Sequence, residues 1–172
     1  EEWVSTVAPH YVEYMPPGDY VLIEALAPTE DGYVKAQDVP FTVLETGELQ
    51  TVEMKDDYTK VEISKTDIAT GEPVAGATLQ IQDTEGTVLY EWETGKEPIL
   101  YEYLPVGNYV LVEIQAPTEE GYVRAENVPF TVLETGEIQK VEMKDDFTKV
   151  QISKVDRSEE RRVGKECRSR WS

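Results

Sequence analysis

The sequence is poor in the residues from which metal and redox sites are built: one Cys, one His and three Met among 172 residues. One cysteine cannot close an internal disulfide, and zinc needs about four ligands of the Cys, His or carboxylate kind. A disulfide scaffold and a zinc module are both excluded. Basic residues are scarce as well, 16 against 35 acidic, for a net charge of −19. A nucleic-acid binder needs cations to displace counterions from phosphate, so this balance argues against one. No apolar run approaches the roughly 18 residues that span a bilayer. No segment sustains the apolar period of about 3.6 residues that marks a packed helix. The chain opens on Glu1-Glu2-Trp3, without Met or a visible leader peptide, which is uninformative about secretion. What is present is a chain 40% apolar, enough for a sizeable core.

An internal repeat organises it. Shifted by 89 positions, residues 1–67 fall on 90–156 without a gap, and 43 of the 67 pairs are identical. Ala27-Pro28-Thr29-Glu30 meets Ala116-Pro117-Thr118-Glu119, and the run from Val39 to Glu48 meets Val128 to Glu137 unchanged. One complete copy is therefore expected over 58–147. Residues 1–57 correspond to the C-terminal part of a preceding copy and 148–156 to the first strand of a following one. The chain reads as a piece of a longer tandem array.

The match stops at Asp156. Residues 157–172 hold six basic and three acidic residues and the only cysteine, Cys167, and they resemble the in-frame translation of a short-read sequencing adapter. Composition, period and charge all change at one residue, so this tail is read as an artefact outside the fold, not as a basic binding arm. Without it the repeats carry −22 and no cysteine.

Within the complete copy, short alternating runs rich in Val, Ile, Thr and Tyr are bounded by Gly, Pro, Asp and Asn. They predict strands at about 60–66, 77–82, 87–92, 99–103, 108–115, 128–133 and 138–145. Asp83-Thr84-Glu85-Gly86 has the composition of a hairpin turn. Seven short strands in about 90 residues fit a two-sheet β-sandwich.

Alternation then sends three charges inward. Residues two apart on a strand share a face. Val61 and Ile63 carry Lys65 with them, Val141 and Met143 carry Asp145, and Tyr109 and Leu111 carry Glu113. Buried charges are costly unless paired or neutralised, so the three are expected to meet. The pattern alone leaves two readings open: an ordinary ion pair near strand ends, where long side chains reach water, or a functional triad.

A resemblance bears on that choice. Tyr109-Val110-Leu111-Val112-Glu113-Ile114-Gln115-Ala116-Pro117, followed by Gly121-Tyr122, resembles the E-box of Cna B-type, or SpaA-like prealbumin-fold, repeats of Gram-positive surface proteins and pilins. Val61-Glu62-Ile63-Ser64-Lys65-Thr66-Asp67 is similar to their first strand, with its reactive lysine. Val141-Glu142-Met143-Lys144-Asp145 is similar to their last strand, where an Asn or Asp accepts the bond, and Gly71-Glu72-Pro73-Val74-Ala75-Gly76-Ala77 resembles their first link. The likeness covers the chain up to Asp156. It implies an all-β fold of tandem seven-stranded prealbumin-like (reverse immunoglobulin-like) sandwiches. It also implies a spontaneous isopeptide bond, with Lys65 as nucleophile, Asp145 as acceptor and Glu113 as general acid/base. Many such pilin repeats use Asn at the acceptor; here Asp would lose water in place of ammonia. The partial copies keep Glu24 and Asp56 at one end and Lys154 at the other.

The implied role is a stalk or pilin-like spacer on a Gram-positive cell wall. It would modify itself once and so not be an enzyme, with no cofactor and with neighbouring repeats as partners. The alternative is an adhesin-type module displaying loops to a host protein or polysaccharide. Near-identical copies favour the spacer, because a specific site needs no repetition. Other candidates read as structure: His10, aligned with Ile99, as a strand-lining residue, and Trp3 and Trp92 as packing residues. The acidic loops at 83–85 and 118–120 lack the spacing of a calcium loop and read as solvated charge.

Overall fold

The computed structural model describes residues 1–154; the basic tail and Cys167 lie outside the described residues. In chain order the strands are β1 (Gly18–Leu22), β2 (Tyr33–Val34), β3 (Val39–Val43), β4 (Asp57–Tyr58), β5 (Lys60–Asp67), β6 (Thr78–Asp83), β7 (Val88–Glu93), β8 (Ile99–Glu102), β9 (Gly107–Gln115), β10 (Tyr122–Val123), β11 (Val128–Val132) and β12 (Ile138–Phe147). Two single 3₁₀ turns, Thr29–Asp31 and Thr118–Glu120, complete the set. The seven strands expected for the complete copy are all present, their ends within two residues of the expected ones. β10 is an addition, because a two-residue ladder leaves no periodicity to read.

Two four-stranded sheets face one another, in the orders β10-β12-β5-β8 and β11-β9-β6-β7. The central pair of the first sheet joins the first and last long strands in parallel, from Ile138 opposite Lys60 to Asp145 opposite Asp67. A parallel pair needs a long crossover, and here that crossover is the rest of the copy. β5 buries every second residue along its whole length. Val61 and Ile63 of β5 and Val141 and Met143 of β12 pack with Leu79 and Ile81 of β6 and Leu111 of β9, and Trp92, Tyr101 and Phe130 close the sides.

The turns follow their residues. The Asp83 carboxylate accepts the N–H groups of Glu85 at 2.9 Å and Thr87 at 2.8 Å, and Gly86 takes a φ of +87°. That is the left-handed conformation which only glycine adopts freely.

The leading region repeats part of this plan. β1 and β3 pair from Gly18–Val43 to Leu22–Val39, the same register as Gly107–Val132 to Leu111–Val128 in β9 and β11. Residues 49–56, aligned with β12, form no strand, since no counterpart of β5 lies beside them. Residues 148–154, aligned with the start of β5, form none either.

The aligned position of His10 proves a poor guide for the same reason. It lies in no strand; its ring stacks on Trp3 at 4.5 Å and its Nε2 sits 3.0 Å from Glu1 Oε1. Trp92 packs against the core as expected, whereas Trp3 is 40% exposed.

Truncating the core leucines of the second sheet's central strands, β6 and β9, should open a cavity that the rigid strands cannot close. Leu79→Ala and Leu111→Ala are each expected to cost about 3 kcal/mol in urea unfolding. Ile114→Ala, on the solvent side of β9, should change stability by less than about 0.5 kcal/mol.

Candidate functional site

The parallel register of β5 and β12 places Lys65 opposite Met143, with Asp145 two residues further along the same inward face. From the facing sheet, β9 presents Glu113, paired in register with Leu79 of β6. The residue two places before each charge on its strand is Ile63, Met143 or Leu111, all essentially without solvent contact. Lys65 is 4% exposed, and Glu113 and Asp145 are fully buried. Sequence alternation thus brings these three side chains to one point in the core; the alternative, that the strand ends let Lys65 and Asp145 reach water, does not hold.

The Lys65 ammonium donates a hydrogen bond to Asp145 Oδ1 and lies 3.1 Å from Glu113 Oε1. The second contact is an ion pair without hydrogen-bond direction, so Glu113 Oε1 and Asp145 Oδ2 remain without a donor. Glu113 is held from its other oxygen: Oε2 accepts the Ala125 N–H at 2.5 Å, from the link between β10 and β11.

One cation therefore faces two carboxyl groups in a space closed to water. With both ionised, the site would carry a net buried negative charge and two acceptors lacking protons, an arrangement of high cost. A proton on Asp145 removes both problems. Burial is the largest influence on Asp145 and pushes its pKa above the ordinary 3.8; Lys65 beside it pulls down, and the Glu113 carboxyl raises it again. Desolvation decides the direction because the carboxylate has no water to replace.

A cavity of about 320 Å³ opens next to the triad, lined by Ile63, Lys65, Pro73, Leu79, Trp92 and Pro98 among others. It lies between β5 and the link from β7 to β8.

The residue that sequence reasoning missed is Asp67. It continues the inward series of β5 and is buried at 8% exposure, opposite Asp145 in register. Its carboxylate accepts the N–H groups of Ala69 at 2.7 Å and Thr70 at 2.8 Å. The Thr70 N–H is the largest influence holding its pKa below the ordinary value, with the Tyr122 hydroxyl adding to it. Two aspartates side by side are thus driven apart, one by hydrogen bonds and one by burial. The signal was available, since Asp-Ile-Ala-Thr-Gly is a turn-forming run at the end of an alternating strand.

The partial copies keep fragments of the arrangement. Glu24 Oε2 accepts the Ala36 N–H at 2.7 Å, the counterpart of the bond from Ala125 to Glu113. Glu24 is only half-buried, however, and Asp56 and Lys154 are exposed. The structure does not reproduce the enclosed triad around these three.

The family model for the SpaA prealbumin-like fold domain matches residues 59–146, a span that contains Lys65, Glu113 and Asp145. The chain belongs to this family. Among solved structures, the Bacillus anthracis TIE protein is 32% identical with a TM-score of 0.50, over 77% of this chain and 26% of that one. BcpA, the major pilin subunit of Bacillus cereus, is 19% identical with a TM-score of 0.44, over 57% of this chain and 35% of that one. The shaft pilin SpaA from Lactobacillus rhamnosus GG is 15% identical with a TM-score of 0.45, over 78% and 66% of the two chains. The chain therefore spans about a quarter of the TIE protein and about a third of BcpA. None of the curated proteins matches it. Within the SpaA-family domain the first and last long strands are the ones that carry Lys65 and Asp145.

The protonation of Asp145 is open to direct test in Lys65→Met, which removes the one group pulling its pKa down. A raised folded pKa stabilises the fold below the unfolded value of about 3.8 and loses that contribution as pH rises through the folded value. Lys65→Met should therefore match Lys65→Met/Asp145→Asn in mild acid and fall progressively below it toward neutral pH. The difference between the two urea midpoints, followed with pH, isolates Asp145 from the other carboxylates.

Proposed function

We propose that this SpaA-family domain is a structural repeat of a stalk or pilin on a Gram-positive cell surface, locked by a self-formed isopeptide bond between Lys65 and Asp145. The observation that supports it is the buried lysine held between two carboxyls at the junction of the first and last strands.

An amine attacks a carbonyl only when neutral, and burial disfavours an ammonium ion. A carboxylate is a poor electrophile, so Asp145 must carry a proton, as its raised pKa favours. With Asp145 held as the acid, the Lys65 ammonium passes one proton to the Glu113 carboxylate 3.1 Å away, which leaves a free amine between two neutral carboxyls. Lys65 Nζ then attacks Asp145 Cγ, and Glu113 hydrogen-bonds the developing oxyanion and passes the amine proton to the leaving oxygen. One C–N bond forms, one C–O bond breaks and one water leaves. Glu113 accepts the amine proton as it gives up its own, so it ends as the neutral acid it was when attack began, and its bond to the Ala125 N–H keeps it in place throughout. A buried carboxyl that stays neutral to donate a hydrogen bond is established chemistry.

The sandwich supplies proximity, turning an amide formation that is negligible in water into an intramolecular step. The chain turns over once on itself and has no substrate. The bond closes the loop from residue 65 to residue 145. By analogy with a disulfide of that span, restriction of the unfolded chain alone contributes about 4 to 5 kcal/mol. Repeats without cysteine, outside the cell where a disulfide is the usual staple, fit such a substitute.

Intact mass spectrometry of the purified chain decides the matter. The folded protein is expected to weigh one water less than its sequence, and Lys65→Ala and Glu113→Ala are expected to show the full mass. A full mass in the folded parent would leave the triad as a buried ion network and overturn the covalent reading.

A further inference from the structure

The unit that ends at β4 and the one that begins at β5 meet without a linker, because Thr59 alone separates Tyr58 from Lys60. Thr59 is fully buried and bonded to both sides. Its N–H donates to the Gly32 carbonyl at 2.9 Å, its hydroxyl donates to the Leu104 carbonyl at 2.6 Å, and its own carbonyl accepts the Tyr103 N–H at 3.0 Å. The Val106 N–H donates across the same junction to the Thr29 carbonyl at 3.2 Å.

Around these bonds the Tyr103 ring stacks on Tyr58 at 4.3 Å and meets Tyr33 edge-on at 5.4 Å. Gly32, at a φ of +80°, lies so close that a Cβ there would stand 2.3 Å from the Tyr103 carbonyl carbon. On the far side the Lys60 ammonium joins Asp57 at 2.7 Å to the Gly136 carbonyl at 2.8 Å, and a Cβ on Gly136 would fall 1.8 Å from Asp57 Oδ2.

Two further observations separate this from incidental packing. Tyr103 has a φ of +59°, the left-handed region that a bulky residue rarely occupies. Tyr14, its counterpart 89 residues earlier, has the same φ while standing 97% exposed, so the turn holds this shape with nothing docked on it. At the other end the receiving surface is rebuilt. Gly121 has a φ of +88°, Tyr122 pairs with Phe147, the Thr148 N–H donates to the Gly121 carbonyl at 2.9 Å, and Lys149 binds Asp146 at 2.7 Å.

We propose that Tyr103 and its turn form a preshaped plug, that Gly32, Tyr33 and Tyr58 form its socket, and that successive copies are joined there rigidly, at a fixed angle. The partner of each socket is the tyrosine turn of the next copy in the same chain. This deepens the stalk reading, since a spacer must transmit direction as well as tension. The two fail separately: the isopeptide bond lies inside one copy and is read by mass, whereas the joint is read by distance.

The test is a spin-label distance measurement across the joint in the full chain, with Cys167→Ser and labels introduced by Thr46→Cys and Lys96→Cys, both exposed positions. The parent should give one narrow distance. Gly32→Ala and Tyr103→Ala should each broaden the distribution about twofold or more, toward the loose hinge that small interdomain contacts ordinarily allow. Gly71→Ala is the control, because Gly71 also has positive φ, +73°, but lies in open space, and it should leave the distance narrow. A broad distribution in the parent, or a narrow one in both joint variants, would overturn the proposal.

Discussion

A charge in the interior of a β-sandwich persists only against an opposite charge, and that constraint ties the fold of this chain together. The inward face of β5 carries Val61, Ile63, Lys65 and Asp67. Turning the strand over would expose its two core residues, so the lysine has to go in with them. Once inside, it fixes what its neighbours must be. β12 answers with Asp145 and the opposite sheet with Glu113, and the long parallel ladder between β5 and β12 holds the first two in register. The stabilising core and the buried triad are carried by the same set of strands. A change that weakens one weakens the other.

Much of this was legible from residue order because strand alternation is a rule of geometry and does not depend on context. Lys65, Glu113 and Asp145 each sit at the end of an apolar alternating series, and the structure brings them together. Where reading failed, pairing was the missing ingredient. His10 inherits the position of Ile99 but not its strand, because the neighbours that would hold it there do not lie beside it. Residues 49–56 share most of their sequence with β12 and still form no ladder. Identity of sequence copies a propensity; a strand needs a partner as well. β10 escaped for a different reason, since a two-residue ladder falls below the length at which a period can be seen, and Asp67 stood one step past the expected end of its strand, although the alternation reaches it.

The likeness to the Bacillus anthracis TIE protein covers most of this chain and about a quarter of that one. What the unit contributes is set locally. The contacts of the proposed joint gather around Thr59, and those of the buried triad around Lys65. The two sit at opposite ends of β5, a strand of eight residues. A single strand therefore takes part in both the joint and the core.

The one-residue junction at Thr59 also bears on how a chain of near-identical copies avoids tangling. Each copy's last strand is followed at once by the first strand of the next, and in the finished sheet those two types of strand are partners. Folding back as a hairpin takes at least about two residues of loop, and a parallel return takes a dozen or more. With one residue between them, the nearest wrong partner is out of reach. The shortness of the connection at Thr59 thus excludes pairing between β5 and the strand immediately before it, and leaves β5 to its partner β12.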